Sequence, residues 1–557
     1  MKGTRAIIEV LKSEGVTLAF AYPGGQVIPL FDELYGEKDI RIILPRHEQG
    51  GVHAAEGYAR VTGRVGVVIA TSGPGATNLV TGIADANMDS IPLVAITGQV
   101  PTHLIGNDAF QEVDVLGVTR SVAKHNYLVS RAEELPFMLK AAFYIARTGR
   151  PGPVVVDIPS NIQRADFAAH IPESVNIPSY QPKYDGNPRQ IERIANLINA
   201  SERPVFYVGG GVISSESSDY LRQAASKANI PVTTTLMGLG AIPTDHPLSL
   251  GMLGMHGTAY ANLAVTNCDL LVAVGARFDD RITGKLAAFA PVAKIIHIDI
   301  DPTSVSKSVR VDLPVIGSAF NILRDLLPQL EHRERKDWFA RIDAWRLASP
   351  LVVPAGNGRV SPQALIRSLY SLAAGKDPVL CTDVGQHQMW SALFWNHQKP
   401  RRWVSSGGFG TMGFGLPAAI GAQLGLPDNL VLCVTGDGGF QMNIQEMATV
   451  ARLNLPIKII LMNNGYLGMV RQWQELFWDH HYSHTDISDN PDFTKVSEAF
   501  GVKAFVLDRP ADTEKVLAAA LNHPGPALVN AMIEREANVY PMVPAGEPLD
   551  NLILDAE

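Results

Sequence analysis

Residues 430–465, LVLCVTGDGGFQMNIQEMATVARLNLPIKIILMNNG, decide how the chain is read. Two apolar runs, Leu430–Val434 and Ile457–Leu461, each lead into a polar turn. The first turn is Gly436-Asp437-Gly438-Gly439 and the second is Asn463-Asn464-Gly465. Runs of this length, bounded by glycine, predict strands of a parallel sheet covered on both faces. Asp437 and Asn464 are 27 residues apart, each just beyond a strand. That is the crevice where open α/β sheets bind ligands. A carboxylate from Asp437, an amide oxygen from Asn464 and the backbone carbonyl of Tyr466 suit Mg²⁺, which takes hard oxygen ligands in an octahedron. Gly436, Gly438 and Gly439 let the backbone approach a diphosphate, and a helix starting near Gly438 would turn free N–H groups toward it. Gly-Asp-Gly alone is an ordinary turn. The pairing with Asn-Asn behind a second buried strand makes it specific.

The same pattern extends outward. Short β-branched runs occur at Val65–Ala70, Ile91–Ile96 and Pro153–Asp157, then at Pro204–Val208, Leu270–Val274 and Ile295–Ile298, and again at Ala527–Asn530. They alternate with helical stretches, which predicts an α/β chain of doubly wound parallel sheets. Two stretches interrupt the alternation. Residues 171–188 (IPESVNIPSYQPKYDGNP) are rich in proline and polar residues. Residues 331–362 carry a charged helix, EHRERKDW, and then ASPLVVPAGNGRVSP. Read as linkers, they divide the chain into units at 1–165, 190–330 and 360–540. For 557 residues, a norm of about 150 per domain predicts three to four. The first and last units are candidates for a shared fold.

Composition narrows the class. Hydrophobic residues make up 46% and charged residues 18%, enough to build several cores. The net charge of −8 has no long run of one sign, so no basic face for nucleic acid is expected. Cys268, Cys381 and Cys433 are dispersed in apolar surroundings and predict buried thiols in a reducing compartment. Ala6, Ile7, Val10 and Leu11 start an amphipathic helix at once, with no signal-like stretch before it. No apolar run reaches the roughly 18 residues of a membrane span. The expectation is a soluble, cytoplasmic protein.

The Gly-Asp-Gly and Asn-Asn pair resembles the cofactor motif of thiamin-diphosphate (ThDP) enzymes. That resemblance implies a single glutamate, placed after the second strand of the first domain, that hydrogen-bonds the cofactor's aminopyrimidine ring. In Ile42-Ile-Leu-Pro-Arg-His-Glu48-Gln-Gly50, Glu48 falls just after a short strand and opens a helix lined with Ala and Gly. A carboxylate in an apolar site is disfavoured as the anion, which favours sharing a proton with the ring. Glu56 is the local rival, but it lies too deep in that helix.

With these residues placed, the chain resembles the catalytic subunits of acetohydroxyacid synthase (acetolactate synthase) from about residue 3 to 545. The resemblance is carried by YPGG (22–25), RHEQG (46–50), ATSGPGATNL (70–79), DAFQE (108–112), GRPGPV (149–154), GMLGMHG (251–257), GARFDDR (275–281), TDVGQHQMW (382–390), GTMGFGLPAA (410–419) and GMVRQWQELF (468–477). It implies that pyruvate loses CO₂ on ThDP and that the two-carbon unit joins a second pyruvate or 2-ketobutyrate. The products are precursors of branched-chain amino acids. Roles follow by position. Glu48 activates ThDP, while Gly25 and Gln111 lie near the reacting carbon. Gly385, Gln386 and His387 meet the diphosphate, and Met412 wedges between the cofactor rings. Arg281 is the cation for the acceptor's carboxylate, and Phe110, Met255 and Trp473 form its apolar wall. The middle unit resembles a flavin-adenine dinucleotide (FAD) domain through Gly209-Gly210-Gly211, Arg277 and Asp299, with a structural flavin. The family implies at least a homodimer, up to a homotetramer, and often a separate regulatory subunit.

Three positions depart from the family. Gln26 stands where Ala follows YPGG, Ser160 replaces the lysine of DIPKD, and Phe409 stands where Leu is usual. The first two border the substrate channel in the family, and loss of the lysine predicts weaker binding of sulfonylurea-type inhibitors. The alternatives are a pyruvate oxidase, a flavin-free catabolic acetolactate synthase, or a non-catalytic homologue. A glyoxylate carboligase would lack Glu48.

Overall fold

The β-branched runs become strands because parallel strands covered on both faces must be apolar along their whole length. The computed structural model describes residues 1–354 and 358–555. The first unit contains β1 (Leu18–Ala21), β2 (Arg41–Ile43), β3 (Gly66–Ala70), β4 (Leu93–Gln99), β5 (His125–Leu128) and β6 (Pro153–Pro159). They lie side by side in the order β2-β1-β3-β4-β6-β5. The middle unit has β7 (Pro204–Val208), β8 (Val232–Thr234), β9 (Ser249–Met252), β10 (Leu270–Val274), β11 (Lys294–Asp299) and β12 (Leu313–Ile316), in the order β12-β11-β10-β7-β8-β9. The last unit has β13 (Val379–Thr382), β14 (Trp403–Val404), β15 (Val431–Gly436), β16 (Lys458–Asn463), β17 (Lys503–Leu507) and β18 (Ala527–Met532), in the order β14-β13-β15-β16-β18-β17. Within these sheets every strand pair is parallel.

Numbered within each unit, the first and last sheets share one order, 2-1-3-4-6-5. The middle sheet reads 3-2-1-4-5-6, the order of dinucleotide-binding folds. The shared fold that the sequence suggested for the outer units is present. Central strands such as β3 and β4 are buried at every residue.

The outer units pack against each other through two small-residue helices, Glu48–Thr62 and Gly415–Gly425. A Cβ on Gly57 would lie 2.0 Å from the Ala418 carbonyl oxygen, and one on Gly421 would lie 1.8 Å from that of Ala54. Glycine is required at both crossings. The charged stretch after residue 330 is only partly the helix expected. The helix runs Lys336–Ala348, and Arg335 before it is buried. Its guanidinium donates to the carbonyls of Ile198, Ser201 and Ala228, which fastens this segment to the middle unit.

Candidate functional site

β15 and β16 are neighbours in exact register, Thr435 opposite Leu461 and Gly436 opposite Met462. Their ends therefore deliver Asp437 and Asn464 to one place. Both line a cavity of about 70 Å³ together with Gly385, Gln386, His387, Met412, Gly436, Gly438, Gly439 and Tyr466. Asp437 is 1% exposed. Its Oδ2 accepts from the Gly465 N–H at 3.0 Å and from Asn490 Nδ2 at 2.8 Å. Burial outweighs these bonds and pushes its pKa up to about 6. The Tyr466 N–H donates to Asn464 Oδ1 at 3.1 Å, which fixes the carboxamide.

The glycines are tight for definite reasons. A Cβ on Gly439 would meet Asp383 Oδ1 at 2.3 Å, and one on Gly436 would meet His387 Nδ1 at 3.0 Å. His387 is buried, its pKa is lowered to about 4 by burial, and its Nε2 has no partner among the described residues. A neutral imidazole nitrogen left unpaired in a cavity is a group waiting for a ligand. Two buried hard oxygens, a polar His nitrogen and glycine turns fit a metal with a diphosphate.

A second cavity, about 1030 Å³, adjoins the first, with Val384, Gly385 and Met469 lining both. The middle unit contributes Gly209, Gly210, Gly211, Arg277 and Asp299, the set expected for a dinucleotide. The glycines have a second reason to be there. A Cβ on Gly209 would lie 2.2 Å from the Gly275 oxygen, and one on Gly211 would lie 2.6 Å from the Gly275 Cα, so this turn packs against the turn after β10. Met255, Arg281 and Trp473 line the same cavity. The Arg281 guanidinium stands 5.6 Å from the Trp473 ring centroid, with Nη1 3.9 Å from Met255 Sδ. Its Nε lies 3.8 Å from the exposed Asp280 carboxylate.

Glu48 lies elsewhere in the chain. It opens the helix that follows β2, is half-buried, and accepts a hydrogen bond from Asn78 Nδ2 at 3.0 Å. It does not line the Asp437 cavity. Around it gather other carboxyl-end loops of the first sheet. Gly75 lies beside Glu48 and Thr71, and Gly24 lies against Thr71. Gly73 abuts Gln111, which adopts φ +58°. Gly25 is exposed and follows directly. Phe110 is 85% exposed and stands apart from Met255, Arg281 and Trp473, so one chain does not assemble the expected apolar wall. Glu56 is buried in bonds to His53 and Arg60, and burial holds its pKa well above the usual carboxylate range.

Of the three departures, Gln26 is fastened by its backbone, donating to Thr71 Oγ1 and accepting from Gln163. Ser160 is buried, and the Arg164 guanidinium reaches its carbonyl at 3.2 Å. A cation therefore still stands beside the position where the family has lysine. Phe409 is half exposed and lines the large cavity.

Several groups at the site escaped the sequence reading. Asp89 accepts from the Gly407 and Gly408 N–H groups at 2.9 and 2.7 Å and pairs with Arg60 at 2.9 Å. Asp85 accepts from the Ser406 hydroxyl at 2.8 Å, and that hydroxyl accepts from the Thr411 N–H. Two carboxylates of the first unit thus hold the loop that runs past the large cavity to Met412. No local spacing signals such a contact between residues more than 300 positions apart.

Comparison with known proteins gives matches along the whole chain. Residues 1–118 match the thiamine pyrophosphate enzyme N-terminal TPP binding domain, 191–326 the central domain and 383–531 the C-terminal TPP binding domain. The chain is 48% identical to a probable acetolactate synthase large subunit of Methanocaldococcus jannaschii, covering 99% of this chain and 95% of that protein. It is 47% identical to an acetolactate synthase of Mycobacterium bovis, covering 99% and 91%. It is 45% identical to the acetolactate synthase isozyme 3 large subunit of Escherichia coli, covering 100% and 98%.

Proposed function

Because the chain belongs to the acetolactate synthase large subunits among the thiamine pyrophosphate enzymes, we propose that its two adjoining cavities divide the work of one carboligation. The activity is ThDP-dependent acetolactate synthesis, a transferase reaction on 2-keto acids. The finer assignments are ours. Asp437, Asn464 and the Tyr466 carbonyl hold Mg²⁺, and His387 Nε2 with the turns at Gly385 and Gly436–Gly439 holds the diphosphate. FAD takes the large cavity on Gly209–Gly211, Arg277 and Asp299. It has a structural role, because joining two keto acids with loss of CO₂ transfers no net electrons.

The observation that carries this reading is the adjacency of a small polar cavity to a larger one with Arg281, Met255 and Trp473 on its wall. When bound, ThDP supplies an acidic carbon that adds to a keto carbon and accepts the electron pair released with CO₂. Glu48, held by Asn78, exchanges a proton with the cofactor's pyrimidine ring. Gly25 and Gln111 offer donors to a developing oxyanion. Met412 props the cofactor's bend with a bulky, adaptable side chain. Arg281 grips the acceptor's carboxylate, and Met255 and Trp473 exclude water from its alkyl group. The half-buried Glu48 is completed by a second copy of the chain, in a homodimer or homotetramer. A smaller regulatory subunit accords with relatives named as large subunits of acetolactate synthase, and we assign the protein a cytoplasmic setting. Among the described residues no helix is long and apolar enough to cross a membrane.

Product analysis tests the proposal. Purified protein is given pyruvate, 2-ketobutyrate, ThDP, Mg²⁺ and FAD, beside a Glu48→Gln control. Acetohydroxybutyrate in excess of acetolactate, both lost in the control, is the expected result. Acetolactate alone would remove the acceptor assignment. Acetyl phosphate, acetate or acetaldehyde as the main product would overturn the carboligation.

A further inference from the structure

Two arginines flank the loop carrying two of the three metal-site residues: the Arg471 guanidinium stands 5.1 Å from the Tyr466 ring centroid, and Arg535 both covers that ring and bonds the loop's backbone. Arg535 lies just beyond β18, the strand next to β16, so it emerges beside Asn464. Its Nε–H donates to the Asn464 backbone carbonyl at 3.1 Å. Its guanidinium carbon lies 4.3 Å from the centroid of the Tyr466 ring. Its Nη2 reaches Asp486 Oδ2 at 3.4 Å. Asp486 belongs to the same assembly, because it bridges Tyr466 backbone to backbone, and the Ile487 N–H donates to the Gly465 carbonyl at 2.9 Å. Between Asn464 and Tyr466 the chain turns on Gly465 at φ +70°, a residue with no side chain to lock the turn.

We propose that Arg535 is a positioning residue for the Mg²⁺ site, setting the Asn464 carboxamide and the Tyr466 carbonyl in the geometry the metal demands. The inference rests on the reading of Asp437, Asn464 and Tyr466 as that site. Mg²⁺ tolerates little departure from an octahedron, and partners behind the direct ligands typically govern affinity by about 10- to 100-fold. Direct electrostatics would act the other way, since a guanidinium beside a cation site repels the metal. A net gain from Arg535 must therefore come through geometry, with Asp486 offsetting its charge. The side chain is 36% exposed, so removing it opens no core.

The test is a calorimetric titration of MgCl₂ into the full-length protein at saturating ThDP. It is accompanied by the thermal midpoint of the metal-free protein, for the wild type, Arg535→Ala, Arg535→Lys and the exposed control Arg509→Ala. Arg535→Ala should weaken Mg²⁺ binding by about tenfold or more and leave the metal-free midpoint in place. Arg535→Lys keeps the charge facing Asp486 but lacks the Nε–H and the flat face, so it should fall with the alanine variant. Arg509→Ala should match the wild type. Unchanged or tighter Mg²⁺ binding in Arg535→Ala overturns the proposal, as does a loss matched by a fall in the metal-free midpoint. A wild type that takes up no Mg²⁺ overturns the metal-site reading itself, and the inference with it.

Discussion

At the carboxyl edge of the last sheet, Asp437 is 1% exposed, Asn464 6% and His387 6%, and each is walled in by its neighbours. At the matching edge of the first sheet, Gly25 is exposed, Glu48 half-buried and Phe110 85% exposed. The two sheets have the same strand order, so topology does not explain the contrast. The roles proposed for the two edges account for it. Holding a divalent ion and a diphosphate requires ligands fixed before binding, since a loose cluster loses affinity steeply. In the proposed reading the first edge acts on a cofactor it does not itself enclose. Its apolar residue and its carboxylate stand ready to be covered, as on an interface whose other side belongs to a second chain.

The largest expected effect follows from assigning binding to one edge and proton exchange to the other. Asp437→Ala should abolish Mg²⁺-dependent ThDP uptake, read by calorimetry. Glu48→Gln should leave that uptake in place while lowering turnover by at least about a hundredfold, in the range of a lost general acid–base group. If both variants lost uptake alike, the division of labour between the edges would be wrong. Mixing the two inactive chains sharpens the comparison further. If the site is completed across a two-fold axis, random reassortment restores about a quarter of the wild-type sites. If each chain completes its own site, mixing restores none.

How much of this was legible beforehand depended on whether the signal was local. The placement of Glu48 at the start of its helix and the paired turns at Asp437 and Asn464 could be read, because strand, turn and candidate side chain lie within a few residues. The shared order of the outer sheets was only suspected. β14 is two residues long and β5 is the polar run HNYL, so neither announces itself as a strand. Asp89 and Arg535 were invisible, because each acts on residues that only the folded chain brings near. Phe110 was grouped with Trp473 by resemblance, and the single chain keeps them apart. That resemblance describes a finished site, of which one chain would supply part in the proposed dimer.

The next effect is on stability, where one buried group in each outer unit should respond to pH in the opposite sense to the other. Asp157, at the end of β6, accepts from Thr97 and Gln99, yet burial raises its pKa to about 7. The folded form then holds a proton that the unfolded chain has released. The stability this confers is full below the ordinary aspartate value and is lost as pH rises through about 7. His397, packed against Trp403 in the last unit, is held at about 4 by burial. Its contribution is full above the ordinary histidine value and is lost as pH falls toward about 4. Urea unfolding of Asp157→Asn and His397→Gln should show this between pH 5 and 8. Relative to the wild type, the first variant gains about 2 kcal/mol as pH rises and the second loses about 2 kcal/mol. Slopes of the same sign would mean that burial does not govern one of the two groups.

The smallest effect concerns which edge sets the choice of acceptor. Trp473 shares a cavity with Arg281 and Met255 inside one chain, so its influence needs no partner. One methylene against an apolar wall is worth about 1–3 kcal/mol. Trp473→Leu should therefore shift the ratio of acetohydroxybutyrate to acetolactate by about tenfold toward acetolactate, measured with both acceptors present. Phe110 carries no such expectation unless the open edge closes. If a second chain folds its Phe110 over the cavity, Phe110→Ala should move the same ratio in the same direction, and the double variant should depart from the product of the two single effects, as contacting residues do. If Phe110→Ala leaves the ratio untouched, the acceptor pocket belongs to the closed half alone. The exposed half then contributes only Glu48 and the oxyanion donors around it.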